Sequence, residues 1–390
     1  MNVTKREIKG RKLQNGDYLQ KITAKQRKYA EVPASLRITE NNIINTNMCS
    51  KRLLEEILDR NNMNKAYKKV KSNNGAGGVD GMEVSELLQY LKDTKEQLLK
   101  AIREGKYHPN PVRRVEIPKE EKGKVRKLGI PTAVDRVIQQ AITQILTPIF
   151  EKQFSNNSYG FRPKRSAHDA VKECALKANE GYKYVVDMDL EKYFDTLNQS
   201  KLIEVLSRTI KDGRVISLIH KFLRAGVIEK YIFKETETGV PQGGPLSPLL
   251  GNIMLNELDH ELERRGHKFV RYADDMVILC KSKRSAKRTL DNILPYIENK
   301  LFLKVNKEKT VVAYIGRIKF LGFSFYKSKG KMRVRIHHKV VTKMKAKIKE
   351  YTSRNNGWGN EYRINKLKIY IRGWINYFKI ADIRMLLKRT

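Results

Sequence analysis

Two adjacent carboxylates, Asp274 and Asp275, lie between two apolar runs, Phe269-Val270 and Met276-Val277-Ile278-Leu279. Such runs read as the strands of a hairpin with the acids at its turn. Neighbouring like charges repel, so the pair is a poor choice for stability alone. It makes sense under a divalent cation, because hard ions such as Mg²⁺ take carboxylate oxygens as ligands. A lone Asp-Asp pair is usually a solvated turn, so the rest of the chain must decide. Further acids end the apolar run Tyr184-Val185-Val186: Asp187 and Asp189, two residues apart, share one face of that predicted strand. If Asp189 comes beside Asp274 and Asp275 from a neighbouring strand, the three carboxylates can hold two Mg²⁺ ions about 3.5–4 Å apart, the arrangement for in-line phosphoryl transfer. Spacing alone does not place the strands side by side.

The elements that must position these acids follow from periodicity. Residues 1–50 are polar and basic and read as a flexible or RNA-binding arm. From Ser50 helical spacing sets in with Leu53, Leu54, Ile57 and Leu58. The glycine-rich turn Asn73–Gly81 matches no nucleotide-loop pattern and reads as a loop that orders the next helix. Residues 112–130 alternate basic and apolar side chains around the turn Lys119–Lys124, a hairpin. Asp135–Phe150 is predicted helical. The segment Pro241–Pro248 breaks the chain before a helix over Leu249–Glu263. Residues 327–390 hold 19 Lys or Arg against 3 Asp or Glu, with Leu367, Ile369, Tyr370, Ile371, Trp374, Ile375 and Phe378 at helical spacing. The expected domains are the arm 1–50, a main body 51–328 and a helical segment 329–390.

Across 390 residues, 80 Lys and Arg against 42 Asp and Glu leave a formal charge of +38. That excess cannot be neutralised internally and implies a polyanionic partner, RNA or DNA first. An anionic membrane surface is the alternative, but no run of about 18 apolar residues exists to span a bilayer. No membrane partner is expected. Three cysteines, Cys49, Cys174 and Cys280, form no Cys-x-x-Cys pair, so neither a zinc site nor a disulfide framework is indicated. A reducing, cytoplasmic location fits.

Tyr272-Ala273-Asp274-Asp275 resembles the catalytic box of reverse transcriptases. Asp189-Leu190-Glu191-Lys192-Tyr193-Phe194 resembles their first metal-binding motif, with the acid five residues before an aromatic. Ser158–Pro163, Gly239–Pro248, Leu303–Thr310, Phe320–Phe323 and Ile371–Phe378 resemble further motifs of bacterial group II intron-encoded reverse transcriptases and maturases, in order over residues 50–385. The resemblance implies an α+β right-hand fold: fingers, an antiparallel palm sheet and the start of a helical thumb. It implies an RNA-directed DNA polymerase that extends a DNA primer on an RNA template with dNTPs, and binds group II intron RNA. Two Mg²⁺ ions, with Mn²⁺ as a substitute, are the implied cofactors.

The same resemblance selects site residues. Asp189, rather than Asp187 or Asp195, has the spacing to Phe194. Asp189, the Leu190 carbonyl, Asp274 and Asp275 are implied metal ligands. Phe194 would lie under the incoming sugar and exclude a 2′-hydroxyl, or else be a core aromatic. Lys119 and Arg126 resemble the pair that grips the triphosphate, with solvated surface cations as the alternative. Gln242 resembles a glutamine packed near the nucleotide sugar, or is a helix cap. Lys309 is a candidate general acid for pyrophosphate, or a phosphate-binding cation. Leu321-Gly322-Phe323 resembles the primer grip. Trp374, Tyr377 and Phe378 could stack on bases or belong to the core. Proteins of this family often run further, so the segment 329–390 is expected to be incomplete as a thumb and maturase region. A splicing cofactor whose polymerase site is secondary, and a domesticated or defence-associated enzyme, are the competing readings.

Overall fold

The computed structural model describes residues 52–118 and 125–383; the basic arm and Lys119 fall outside these. The expected mixture of helices and antiparallel sheet is found. Helices α1 (Leu53–Leu58), α2 (Arg60–Asn73) and α3 (Leu87–Arg103) come first. Strands β1 (Val112–Pro118) and β2 (Val125–Ile130) then pair antiparallel around the predicted turn. Helix α4 (Ala133–Glu151) extends the predicted Asp135–Phe150 by less than one turn at its start, because Thr132 caps it by accepting the Asp135 N–H. Helix α5 (Ala167–Asn179) opens on a capping box in which the Ser166 and Asp169 side chains accept each other's backbone N–H.

Strand β3 (Tyr184–Met188) runs into the short helix α6 (Tyr193–Thr196), followed by α7 (Gln199–Thr209) and α8 (Gly213–Leu223). Strands β4 (Val227–Glu229) and β5 (Ile232–Lys234) complete a first sheet in the order β2-β1-β4-β5. Helix α9 (Ser247–Arg264), strands β6 (Lys268–Tyr272) and β7 (Asp275–Cys280), helix α10 (Lys283–Asn299) and strand β8 (Val311–Tyr314) follow. The second sheet runs β6-β7-β3-β8 and is antiparallel throughout. The hairpin β9 (Phe323–Ser328) and β10 (Lys331–Ile336) leads to helices α11 (His338–Thr352) and α12 (Asn360–Phe378).

The second sheet is covered on both faces, and period-2 alternation assigns the faces. Val186, Met188, Phe269, Met276 and Ile278 enter one core with the α4 and α9 helices. Val185, Val270, Val277 and Leu279 enter another with Phe323, Phe325, Met332, Trp374 and Phe378. Fully burying each such side chain is worth about 1.5–3 kcal/mol. Ile369 and Ile371, which the helical spacing counts among the apolar positions of α12, are exposed instead. That helix buries only Trp374 and Phe378.

A polar knot ties the first sheet to α4. The Asp135 carboxylate is 1% exposed and accepts from the Tyr107 hydroxyl at 2.6 Å, the Asn110 N–H at 3.1 Å and the Thr132 hydroxyl at 2.7 Å. Burial pushes its pKa up to about 6 despite those donors. Asp135→Ala orphans three buried donors and should cost about 3 kcal/mol in urea denaturation. A loss below about 1 kcal/mol would show that the loop before α4 is anchored elsewhere.

Candidate active site

Register brings the predicted acids together. Strand β3 pairs with β7 so that Asp187 faces Val277 and Met188 faces Met276; one step further, Asp189 comes opposite Asp275. By alternation Asp187, Asp189 and Asp275 all lie on the Val185, Val277 and Leu279 face. Tyr272 pairs with Asp275, and Ala273-Asp274 forms the two-residue turn of the β6–β7 hairpin. Partial desolvation, then the charges of Asp274 and Asp189, push the Asp275 carboxyl up to about 6, while Lys319 pulls it down. Burial, then Asp275 and Asp189, raises Asp187 to about 7. Asp187 is thus a half-buried member of the cluster rather than a surface acid. Lys319 has no mark in the sequence, because an exposed lysine in a chain this basic gives no signal of its own.

The stretch Leu303–Thr310, which the sequence presents only as a motif, is the strap that aligns Asp189. Asn306 N–H donates to the Asp189 carbonyl at 2.8 Å, and Glu191 N–H donates to the Lys304 carbonyl at 2.8 Å. These two bonds form the Leu190–Val305 bridge through flanking groups, leaving the Leu190 carbonyl outside them. Asp189 N–H donates to the Thr310 hydroxyl at 3.2 Å, and Lys309 Nζ stands 3.7 Å from Asp189 Oδ2.

Among the described residues, no group of three or more His, Cys, Asp or Glu side chains is arranged so that it could hold a metal ion. The donor chemistry nevertheless fits a hard divalent cation. The oxygens come from carboxylates at one end of a sheet, and burial first, then the neighbouring acids, disfavours the charged forms of Asp187 and Asp275, a cost that such a cation offsets.

The turn that carries the acids is strained and clamped. Ala273 has φ +56°, where a side chain costs about 1–2 kcal/mol. Its carbonyl accepts from Arg271 Nη1 at 2.9 Å. Arg271 is fully buried and donates to Asp259 of α9, also fully buried, at 2.8 Å (Nε to Oδ1) and 2.5 Å (Nη2 to Oδ2). Asn252 of α9 accepts from Arg271 at 2.9 Å and donates to the Gly160 carbonyl at 2.7 Å. The loop before Gly160 runs along β6: Arg271 N–H donates to Asn157, and Tyr159 N–H to Arg271. A side chain at Gly160 would press to 2.2 Å from the Ala273 nitrogen, so only glycine lets this loop back the turn. Sequence reasoning misses the roles of Arg271, Asp259 and Asn252. A signal exists for one of them: Arg271 falls on the Phe269 face, a core position where a charge demands a partner.

The remaining site residues stand around this centre. Phe194 is half-buried in α6, edge-on to Tyr193 at 5.2 Å, and presses on Gly251 of α9. Its carbonyl accepts from Val240 at 2.6 Å. The Gln242 carbonyl accepts from Gly129 of β2 at 2.6 Å, which joins the Pro241–Pro248 break to the first sheet. Arg126, on the same strand as Gly129, is exposed. Arg114 Nη2, which no sequence motif marks, lies 4.0 Å from Asp195 beside Phe194. Trp374 and Phe378 are core residues; Tyr377 is 37% exposed.

Two outcomes test this geometry. Asp259→Ala leaves Arg271 charged and buried, and should lower stability by about 3–5 kcal/mol in urea denaturation. The second concerns pH. Asp187 and Asp275 are raised in the folded chain to about 7 and 6 from 3.8. The folded state therefore binds more protons across that window, and these groups lose stability as pH rises through it. In metal-free buffer, Asp187→Asn should raise stability at pH 8 by about 1–2 kcal/mol and change it little at pH 4. An equal effect at both pH values would rule out the charge as its cause.

A model for "Reverse transcriptase (RNA-dependent DNA polymerase)" matches residues 117–325, and one for "Group II intron, maturase-specific domain" matches residues 341–390. The group II intron-encoded protein LtrA of Lactococcus lactis subsp. cremoris is 30% identical over 381 residues, covering 81% of this chain; the chain spans 62% of LtrA's length. Protein YkfC of Escherichia coli (strain K12) is 35% identical over 300 residues, covering 66% of this chain and 78% of YkfC. Among solved structures, a chain of a partial Cas6-RT-Cas1–Cas2 complex aligns with TM-score 0.41 and 25% identity over 64% of this chain and 43% of its own. The ordered motifs, the sheet that gathers their acids and the match over residues 117–325 have one meaning: the chain belongs to the reverse transcriptase family and carries a group II intron maturase-specific segment behind it.

Proposed function

We propose that this chain is an RNA-directed DNA polymerase of the group II intron type, extending a DNA primer on an RNA template with dNTPs. The observation that carries the reading is the convergence of Asp187, Asp189 and Asp275 on one sheet face beside Lys309. Asp189, the Leu190 carbonyl, Asp274 and Asp275 would hold two Mg²⁺ ions. When bound, Mg²⁺ lowers the pKa of an attacking hydroxyl and neutralises charge on a triphosphate and its leaving pyrophosphate. Lys309 brings a positive charge to 3.7 Å from Asp189 Oδ2. With substrate present, its ammonium is suited to protonating pyrophosphate. Phe194, held by Gly251 and Val240, forms the floor that a ribose 2′-hydroxyl would strike. Gln242 sits at the junction with β2, the strand that carries Arg126; Arg126 and Lys119 are the cations proposed to grip the triphosphate.

Group II intron RNA is the second proposed partner. The maturase-specific match and the exposed Lys331, Arg333 and Arg335 on one side of β10 favour it. The cytoplasm is the proposed compartment; among the described residues no helix is long and apolar enough to cross a membrane.

Primer extension on an RNA template with Mg²⁺ tests the reading. Asp275→Ala should lower extension by at least about 10³-fold, in keeping with loss of a metal-centred charge-stabilising group. Full activity of that variant would sink the metal assignment. Phe194→Ala should extend with ribonucleotides at least about tenfold better than wild type, relative to deoxynucleotides. An unchanged preference would return Phe194 to a packing role.

A further inference from the structure

Helix α12 meets the turn Phe320–Phe323 through two neighbouring side chains, Phe378, whose ring lies against Gly322, and Tyr377, which hydrogen-bonds it. The turn Phe320–Phe323 is closed by reciprocal backbone bonds, Phe320 N–H to the Phe323 carbonyl at 3.0 Å and Phe323 N–H to the Phe320 carbonyl at 2.9 Å. Its two central residues are both left-handed, Leu321 at φ +51° and Gly322 at φ +84°. For Leu321 that is a strained conformation, and it needs an external hold. The hold comes from two directions. His337 N–H donates to the Gly322 carbonyl at 3.1 Å, and the Tyr377 hydroxyl donates to the Leu321 carbonyl at 3.0 Å.

Tyr377 is itself fixed at its other end. Its backbone carbonyl accepts from His168 Nε2 of α5 at 2.6 Å. Its ring packs on Phe323 at 5.6 Å, Phe378 at 4.8 Å and His168 at 5.7 Å. Burial, then the charges of Tyr272 and Asp275, raises the pKa of the hydroxyl. Tyr377 is 37% exposed, yet its polar atom is spent on the strained turn, and Leu321 of that turn packs against the same core as Tyr272, which precedes the carboxylate turn.

We propose that Tyr377 is a positioning residue: its hydroxyl, carried by the maturase-specific segment, sets the Leu321-Gly322 backbone against which the primer end is aligned with the acidic cluster. The proposal rests on the polymerase reading for what the turn contacts, but not for the tether itself. It makes the C-terminal helix part of the polymerase site rather than an appended RNA-binding piece.

Tyr377→Phe removes the hydroxyl and keeps the ring packing. Two measurements on the full chain test it. Hydrogen exchange in the peptide holding Phe320–Phe323 should quicken about three- to tenfold, the loss expected for one intramolecular hydrogen bond. In steady-state extension the KM for primer–template should rise by a similar about three- to tenfold, with the KM for dNTP and the melting temperature unchanged. Faster exchange with an unmoved primer–template KM would overturn the positioning role and leave a purely structural tether. Unmoved exchange would overturn the tether. If the wild-type protein extends no primer at all, the polymerase reading fails instead, and positioning of a primer fails with it, while exchange still reports on the tether. A Tyr377→Phe change that raises both KM values equally also counts against the proposal, because primer alignment alone would not weaken nucleotide binding.

Discussion

The buried ion pair between Arg271 and Asp259 is the constraint on which the active end of this molecule depends. Both side chains are fully excluded from solvent. Desolvating two charges is costly, and only near-complete hydrogen bonding compensates. That demand is met by Asp259, Asn252 and the Ala273 carbonyl together, so the pair has little freedom to shift. The consequence is geometric. The strand that bears Arg271 is locked to α9, and Ala273, the first residue of the turn that follows, is held in a left-handed conformation that alanine would not adopt unaided. Asp274 and Asp275 are displayed by a turn whose position is set by a charge pair buried behind it.

The second sheet divides labour between its faces. The face of Phe269 and Arg271 binds to the helical core, and the face of Val185, Val277 and Leu279 carries the acids. One sheet of alternating residues thus provides both the anchor, on β6, and the acids, on β3 and β7, because successive side chains point oppositely. The acid-bearing face also receives the β9–β10 hairpin and the end of α12. The maturase-specific segment therefore shares a hydrophobic core with the acid-bearing sheet. The shared core explains why Trp374 and Phe378 are buried while Ile369 and Ile371, on another side of the same helix, are exposed.

Much of the site is legible in the sequence. Adjacent acids between apolar runs mark the β6–β7 turn, whereas the choice of Asp189 over its neighbour Asp187 is what the family resemblance implies. Proline and glycine mark the break before α9, and alternation marks the first hairpin. Less legible are groups whose importance is a matter of neighbours. Arg271 shows only that it falls at a core position of its strand, not which partner it finds, and Asp259 reads as an ordinary acid on a helix. Lys319 and Arg114 likewise carry no local pattern. Asp187 resists assignment because its raised pKa comes from burial and two acids, one of them distant in sequence.

The sequence by itself determined which residue types could do chemistry, their order along the chain and the period of each element, since these depend only on local spacing and side-chain identity. Tertiary structure alone decided register and partnership: that Asp189 stands opposite Asp275, that Thr310 and Asn306 hold Asp189, that Arg271 finds Asp259, and that Tyr377 reaches Leu321, 56 positions earlier in the chain. The physical reason is that a one-residue slip in strand pairing would reverse every side chain between the two faces. No local pattern specifies that register; the packing of both cores does.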